Sequence, residues 1–417
     1  MENFDKQKLE NLNATKHYSS YPKGEFPPFL AYGFRPIFLL LAPYIIISII
    51  LWSFTFAGYI NLSFIQDPLT WHMYEMLFGV GIAGFIAFFL TGAPELFPGT
   101  IPVVGKHLAA LVICWALGRI GFWFMDFVGI YTVAILNIAS IIWIVAIIFK
   151  PVVLDPRKRH LSLAINVLVI LALQIWFFAS LLGFSESSSN AIIIASLGAF
   201  IVLIILALRR INMEAINELL EDEGIDETFF SRAPRYNLAV FCISLYTFVE
   251  FFYPANSVLA YLAIASAASV LAIINDFILK DHNILLKPFV MYMISVLILT
   301  SIAYAALGYD YLNEELYALN HFRHFLTTGV YGLVFYLVMM IISTIHTGRH
   351  LFTNIYTSIG VILIIVATFT RALIPFYEEF LMQAYIISSI LWAIPFIIYI
   401  KICFPYLLNK RADGIPG

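Results

Sequence analysis

Long apolar stretches separated by short polar segments follow one another along almost the whole chain. Each comes close to the ~20 residues that an α-helix needs to cross a bilayer. None alternates polar and apolar positions as barrel strands do, and helices satisfy their backbone groups internally. The pattern predicts an all-α, polytopic integral membrane protein with about twelve transmembrane helices. The predicted spans are 37–60, 72–94, 107–125, 127–149, 161–184, 190–210, 236–252, 256–279, 288–308, 321–343, 352–374 and 379–404.

Composition agrees with this pattern, because 62% hydrophobic and 12% charged residues in a chain of 417 are incompatible with a soluble globule. The chain is accordingly divided into an N-terminal tail, 1–36, a transmembrane domain, 37–404, and a C-terminal tail, 405–417. A connector, 211–235, interrupts the domain. It is predicted to begin as an amphipathic acidic helix and to be a solvated link or a partner surface.

The basic residues predict the orientation, since cytoplasmic loops of membrane proteins are rich in Lys and Arg. Twelve alternating spans place 20 of the 23 basic residues on the side of both termini. Both termini are therefore expected in the cytoplasm, with the chain spanning the cytoplasmic (inner) membrane of a bacterium. The net charge is only −3, and no basic stripe with interleaved aromatic residues suggests nucleic acid.

Three arginines break this rule, and each lies at the outer end of a predicted helix. Three histidines and a glutamate are predicted to lie at the same outer ends. The residues are Arg119, Arg323 and Arg371, together with His72, Glu75, His321 and His324. Taken singly, such residues snorkel to lipid headgroups or cap helix ends. Taken together, they favour imidazole ligands for a haem iron and guanidinium partners for its propionates.

Helical spacing narrows the choice of ligands. His72 and Glu75 share a helix face with Gly79, where a flat macrocycle or a neighbouring helix could approach. In the tenth predicted helix His324 lies deeper than His321 and is the preferred ligand. His346 follows His324 by 22 residues, roughly 33 Å along a helix, so these two histidines cannot share a metal.

The inner end of the tenth helix has its own basic cluster, in which His346, Arg349 and His350 follow closely on one another. His107 opens the third helix on the same side. A second metal site or a contact to a haem propionate could form here. Contacts with the helix dipole and with lipid phosphates explain the cluster equally well.

The cysteines argue against covalent haem, because no C-x-x-C-H motif is present. Cys114, Cys242 and Cys403 lie singly in three different helices. Any haem is therefore expected to be b-type and held without a thioether bond.

Five motifs resemble the NnrS family of membrane proteins linked to nitric oxide. They are GFRP at 33–36, WHMYEMLFG at 71–79, LGR at 117–119, HFLTTGVYG at 324–332 and HTGR at 346–349. The resemblance spans most of the chain. It implies about twelve helices, haem ligated by membrane histidines, copper in some members and a role in handling nitric oxide. At matching positions it points to His72, His324 and His346 as metal ligands.

The chain departs from the family pattern at three places. Tyr74 stands where the family has a second histidine, and Met340 and Ile341 replace a threonine-arginine pair. A histidine expected in the ninth helix is missing from 287–308. Haem is therefore a safer expectation than copper.

These observations predict a haem-binding membrane protein that binds, detoxifies or senses nitric oxide. Whether it is an enzyme is left open; if it is, it is expected to be a haem-dependent oxidoreductase acting on nitric oxide with an unknown electron donor. The alternative is a twelve-helix secondary transporter without haem, split six plus six by the 211–235 connector. Against it, the ionisable residues lie at helix ends and not at the midplane.

Overall fold

The computed structural model describes residues 20–417 except 63, 66, 98, 157, 159, 314–318 and 351–353. This part of the chain is helical and contains no β-strand, so the all-α prediction is confirmed. Eleven of its helices are long and apolar enough to cross a membrane. They are α1 Phe34–Phe56, α2 Pro68–Leu96, α3 Gly105–Trp123, α4 Ile130–Leu154, α5 Leu161–Leu181, α6 Ser189–Asp222, α8 Val258–Phe277, α9 Pro288–Leu312, α10 Leu319–Ile345, α11 Ile355–Phe376 and α12 Glu378–Leu408.

The remaining predicted span, 236–252, lies in helix α7, Ala233–Phe252, which is not among these eleven. It still runs the length of the bundle. Near its start Arg235 pairs with Asp276 of α8, and near its end Glu250 pairs with Arg323 of α10. The structure therefore has a long helix for each of the twelve predicted spans, although α7 is less apolar than the rest.

Predicted and observed helix ends agree closely except in α6. This helix continues through 210, the predicted end, to Asp222, so the first half of the predicted connector is a direct extension of the helix. The next largest difference is five residues, at the end of α4, where 149 was predicted and Leu154 is observed. Hydropathy marks where the apolar stretch ends, whereas helical hydrogen bonding continues into the polar extension.

Helices α2, α6 and α10 form the centre of the bundle. Their most apolar stretches are 78%, 72% and 78% buried, against 39–61% in the other eight spanning helices. The ring of Phe200 in α6 lies edge-on between Phe78 of α2 and Tyr331 of α10. Gly81 makes this approach possible, because a side chain there would meet both Phe200 and Tyr331. The two histidine-bearing helices are thus held in the interior.

The start of α1 and the end of α12 lie at the same end of the bundle. Arg35 is fully buried and donates to the carbonyls of Tyr406, Leu407 and Asn409 at 2.9–3.1 Å. A further bond of 2.8 Å reaches the carbonyl of Gly417. A cation at the C-terminal end of a helix meets the negative end of its dipole. The cytoplasmic location of this end remains a prediction.

Candidate functional site

A cavity of about 430 Å3 opens at the bundle end opposite Arg35. Six helices line it: the last turns of α1 and α11, and the first turns of α2, α6, α10 and α12. Four of the predicted site residues contribute to its wall. They are His72, Arg323, His324 and Arg371. The other three residues predicted at the outer helix ends, Glu75, Arg119 and His321, do not line it.

The start of α2 is set by local capping. The carboxylate of Asp67 accepts hydrogen bonds of 3.1 Å from the backbone N–H groups of Leu69 and Thr70. Pro68 occupies the first helical position, where its missing N–H costs nothing. His72 therefore lies in the second turn of a well-capped helix, on the face that lines the cavity.

His72 is held by an aromatic contact. Its ring stacks on the buried indole of Trp52 in α1, with centroids 4.2 Å apart and planes within 4° of parallel. Among the described residues, its buried Nδ1 has no hydrogen-bond partner. An imidazole nitrogen kept dry in this way costs free energy unless something binds it.

His324 is held by a hydrogen bond. Its Nδ1 lies 2.6 Å from the backbone carbonyl of Asn320, one turn earlier in α10. A carbonyl can only accept, so Nδ1 carries the proton and the neutral ring has its lone pair on Nε2. Metal-binding histidines are commonly oriented by a bond of this kind.

Both histidine-bearing helices change to π-helix within three residues after the histidine. The π segments are Glu75–Gly79 in α2 and Phe325–Tyr331 in α10. Three aromatic side chains donate to carbonyls within them: Tyr331 to Leu77 at 2.8 Å, Trp392 to Thr328 at 2.9 Å and Trp115 to Gly79 at 3.0 Å. Side-chain donors satisfy backbone groups that irregular helical turns leave available. Such π segments occur frequently at functional sites.

Arg371 is the cavity cation for which the described residues provide no anionic partner. Its guanidinium lies over the ring of Tyr385 at 3.8 Å and approaches Nδ1 of His321 at 3.3 Å. Within the described part of the chain, no carboxylate lies at ion-pair distance from it. His321 itself is not among the cavity-lining residues. An arginine in a membrane helix without a carboxylate partner is costly, and it marks a place where an anion can bind.

Arg323, in contrast, is already neutralised. It donates to Oε1 of Glu250 at 2.8 Å and to Oδ1 of Asn320 at 2.9 Å. The same glutamate oxygen accepts from the hydroxyls of Tyr246 at 2.6 Å and Tyr311 at 3.2 Å. This network fixes the guanidinium at the cavity wall.

Arg119 and Glu75 lie outside the cavity lining and bind each other. The arginine donates to Oε2 of Glu75 at 2.7 Å, with side chains 5% and 0% exposed. The hydroxyl of Tyr44 donates to the same carboxylate oxygen and accepts from Nε1 of Trp123. The guanidinium also lies over the ring of Tyr74. The pair fixes α2 against α1 and α3 one turn below His72.

His346 lies at the opposite end of α10, as its spacing from His324 predicts. Its Nδ1 is 3.1 Å from a carboxylate oxygen of Glu95, and its ring contacts Tyr32 and Phe34. Its backbone carbonyl accepts from Arg411 in the C-terminal tail. No group of three or more His, Cys, Asp or Glu able to hold a metal occurs among the residues that the structure describes.

A family model for the NnrS protein matches residues 28–411. The chain belongs to the NnrS family. No curated protein and no solved structure has significant similarity to it. Membership confirms the resemblance carried by the five motifs, and it gives no support to the transporter alternative.

Two of the family's motifs have a structural explanation at the end away from the cavity. In GFRP, a side chain on Gly33 would overlap Leu90, and Arg35 binds the end of α12. In HTGR, Gly348 has a φ of +74°, which favours glycine, and a side chain there would meet Asp413.

Tyr74 and Met340, two residues at which the chain departs from the family pattern, are both buried in the structure. Tyr74 points into the core, stacks on Phe122 with centroids 4.0 Å apart and donates to Asn137 at 3.0 Å. It does not line the cavity, because positions two apart on a helix face different ways. Met340 is buried next to Cys403, whose Sγ lies 3.6 Å from the methionine sulfur.

Three residues of the site were not singled out from the sequence: Trp52, Glu250 and Tyr385. Glu250 carries a usable signal, since it is a carboxylate at the outer end of the predicted span 236–252. Trp52 and Tyr385 carry none, because aromatic residues near membrane interfaces are common.

Proposed function

We propose that the cavity holds a b-type haem and that the protein binds nitric oxide there. One observation carries the proposal: one cavity inside a membrane protein is lined by two histidines and by an arginine that has no anionic partner among the described residues. The cavity volume of about 430 Å3 lies within the roughly 300–1,000 Å3 typical of cofactor sites. His72 and His324 would be the iron ligands, and Arg371 and Arg323 would bind the propionates.

The contacts at the site fit these roles. His324 has Nε2 available, and His72 has a buried nitrogen that lacks a partner. Arg371, which has no carboxylate partner among the described residues, would gain one. Arg119, Glu75 and His321 were predicted near the cofactor. We assign them supporting roles, in which Arg119 and Glu75 hold α2 and His321 holds Arg371.

Haem chemistry and family membership together favour a role in nitric oxide handling. Ferrous haem with an open or displaceable position binds nitric oxide, a small neutral molecule that reaches the cavity through lipid without a polar gate. The protein would do so in the cytoplasmic membrane of a bacterium, as a scavenger, a sensor or a haem-dependent oxidoreductase. Of the three predicted metal ligands, only His346, at the opposite end of α10, would be left for a copper ion. Copper is expected to be substoichiometric or absent.

Purification from haem-replete cells tests the proposal. The detergent-solubilised protein should show a Soret band, and the ferrous protein should give a nitrosyl spectrum when exposed to nitric oxide. Cells lacking the gene should grow less well under nitric oxide, and the wild-type gene should restore growth. A colourless protein contradicts the haem assignment. A ferrous haem spectrum that nitric oxide leaves unchanged, together with normal growth of the deletion strain, contradicts the nitric oxide role.

A further inference from the structure

The two cavity histidines are held by different kinds of contact. From this difference we infer that His324 is the permanent haem ligand and His72 the replaceable one, with Trp52 as the residue that positions His72. A diatomic ligand would then bind on the His72 side of the haem. The inference rests on the proposed haem site and adds to it which ligand gives way.

His324 has every feature of a fixed ligand. The bond from Nδ1–H to the Asn320 carbonyl sets its tautomer, limits rotation of its ring and makes Nε2 a stronger donor to iron. The acceptor is a backbone atom of the same helix, so it moves with the histidine. Neighbouring Arg323 is fixed by Glu250, which further restrains this turn of α10.

His72 lacks such a bond. Among the described residues nothing accepts from or donates to its Nδ1, so either ring tautomer is allowed. The stack on Trp52 fixes the plane of the ring but does not prevent it from sliding parallel to the indole. An aromatic stack contributes less than a charge-polarised hydrogen bond in a dry site. His72 is therefore the ligand whose displacement costs less.

The cavity wall beside His72 can receive the incoming molecule. Met73, Met76 and Leu77 follow it on α2, and Ile193 and Leu197 of α6 line the same space. This apolar surface suits a small neutral diatomic. In such an exchange His72 would leave the iron and the diatomic would take its place, with no proton or electron transferred.

Ligand exchange can be measured with carbon monoxide on the reduced full-length protein. His72→Ala should retain haem, become five-coordinate and bind carbon monoxide without the delay caused by His72 dissociation. His324→Ala should lose most of its haem. Trp52→Leu should keep haem and bind carbon monoxide about 2- to 10-fold faster than wild type, the effect expected from loss of one aromatic stack. The carbon monoxide binding rate of Trp52→Phe, which keeps an aromatic ring, should lie between the rates of Trp52→Leu and wild type.

The matched control is Trp143→Leu, because Trp143 is an exposed tryptophan of α4 away from the cavity. It should bind carbon monoxide at the wild-type rate. Haem retained in His324→Ala but lost in His72→Ala would overturn the assignment by reversing it. A Trp52→Leu protein that lacks haem, or whose rate equals that of Trp143→Leu, would remove the role of Trp52. A wild-type protein without a Soret band would instead refute the proposed function itself.

Discussion

The two ends of the bundle contain the same residue types in different chemical states. At the cavity end, His72, His324 and Arg371 line open space, and Arg371 has no carboxylate partner among the described residues. At the opposite end, here called the tail end because the residues after α12 lie there, Arg35 and Arg411 are buried against backbone carbonyls. Histidines and arginines at the end of a membrane helix are therefore not enough to identify a ligand site.

The difference lies in what satisfies the donors. At the tail end the chain itself supplies the acceptors, because residues 409–417 fold back over the turn that follows α10. Ala412 donates to the Thr347 carbonyl, and Arg411 pairs with Asp413 at 2.6 Å. At the cavity end, among the described residues, the Arg371 guanidinium has no carboxylate partner and the Nδ1 of His72 has no hydrogen-bond partner. The proposed ligand site is therefore at that end.

Replacing a histidine at each end should show the largest contrast. His324→Ala should lose most of its haem, because it removes an iron ligand, whereas His346→Ala should keep the wild-type content. The measurement is haem per protein after purification, from the pyridine haemochrome spectrum. Equal haem content in the two variants would mean that the cavity histidine has no special role.

Arg119→Gln should lower stability strongly with little direct effect on the haem site. It would leave the buried Glu75 carboxylate without its cation, and breaking a buried pair costs about 3–5 kcal/mol. The double variant with Glu75→Gln should recover part of this loss. Thermal unfolding in detergent measures both. If Arg119 instead binds a propionate, the double variant will recover stability without recovering haem.

Arg35→Gln should destabilise the tail end and spare the cofactor. Hydrogen bonds from a charged group contribute about 1.5–3 kcal/mol, and Arg35 caps the end of α12 with several. A lower melting temperature with unchanged haem content in the folded fraction is expected. The melting temperature of Arg35→Lys, which keeps the charge but not the planar guanidinium, should lie between those of Arg35→Gln and wild type. Loss of haem from folded Arg35→Gln would show that the two ends are coupled.

Arg371→Gln should affect haem binding far more than stability, the opposite of Arg35→Gln. Haem affinity should fall about tenfold, the effect expected from loss of one charge-assisted contact of about 1.4 kcal/mol. Stability of the haem-free protein should fall little, because the removed cation has no anionic partner among the described residues and loses only its contacts with Tyr385 and His321. Arg349→Gln is the matched control, since Arg349 also lies over a tyrosine ring, Tyr406, at 4.1 Å, but at the tail end. The measurement is the rate of haem transfer from each variant to apomyoglobin. Equal rates for Arg371→Gln and Arg349→Gln would count against a propionate contact at Arg371.

The smallest effect concerns pH at the tail end. Burial raises the pKa of Asp413, but the hydrogen bond and charge of Arg411 outweigh it and hold the pKa below the ordinary 3.8. The carboxylate therefore stabilises the fold above pH 3.8, and this contribution is lost as pH falls through the lower folded-state pKa. Amide exchange at Ile415, which donates to Asp413, should accelerate at that point. In Asp413→Asn the acceleration should be absent; a wild-type profile there would assign the effect to another group.

Much of this architecture could be predicted from the sequence, because lipid imposes strong rules. Apolar length located the spans, and the basic residues grouped His72, His324 and Arg371 at one end. Side-chain pairing could not be predicted in this way. Arg119 and Arg371 look alike in the sequence, yet Arg119 meets Glu75 and Arg371 meets no carboxylate among the described residues. This difference depends on helix rotation. The two π segments also leave no hydropathy signal, because they rearrange backbone bonds inside apolar stretches.

The central claim is that the cavity end holds a haem between His72 and His324. Its most direct test is the low-temperature electron paramagnetic resonance spectrum of the purified ferric wild-type protein, recorded with its absorption spectrum. A Soret band and low-spin resonances of a haem with two imidazole ligands are expected. A preparation from haem-replete cells without a Soret band, or with only high-spin haem, would contradict it.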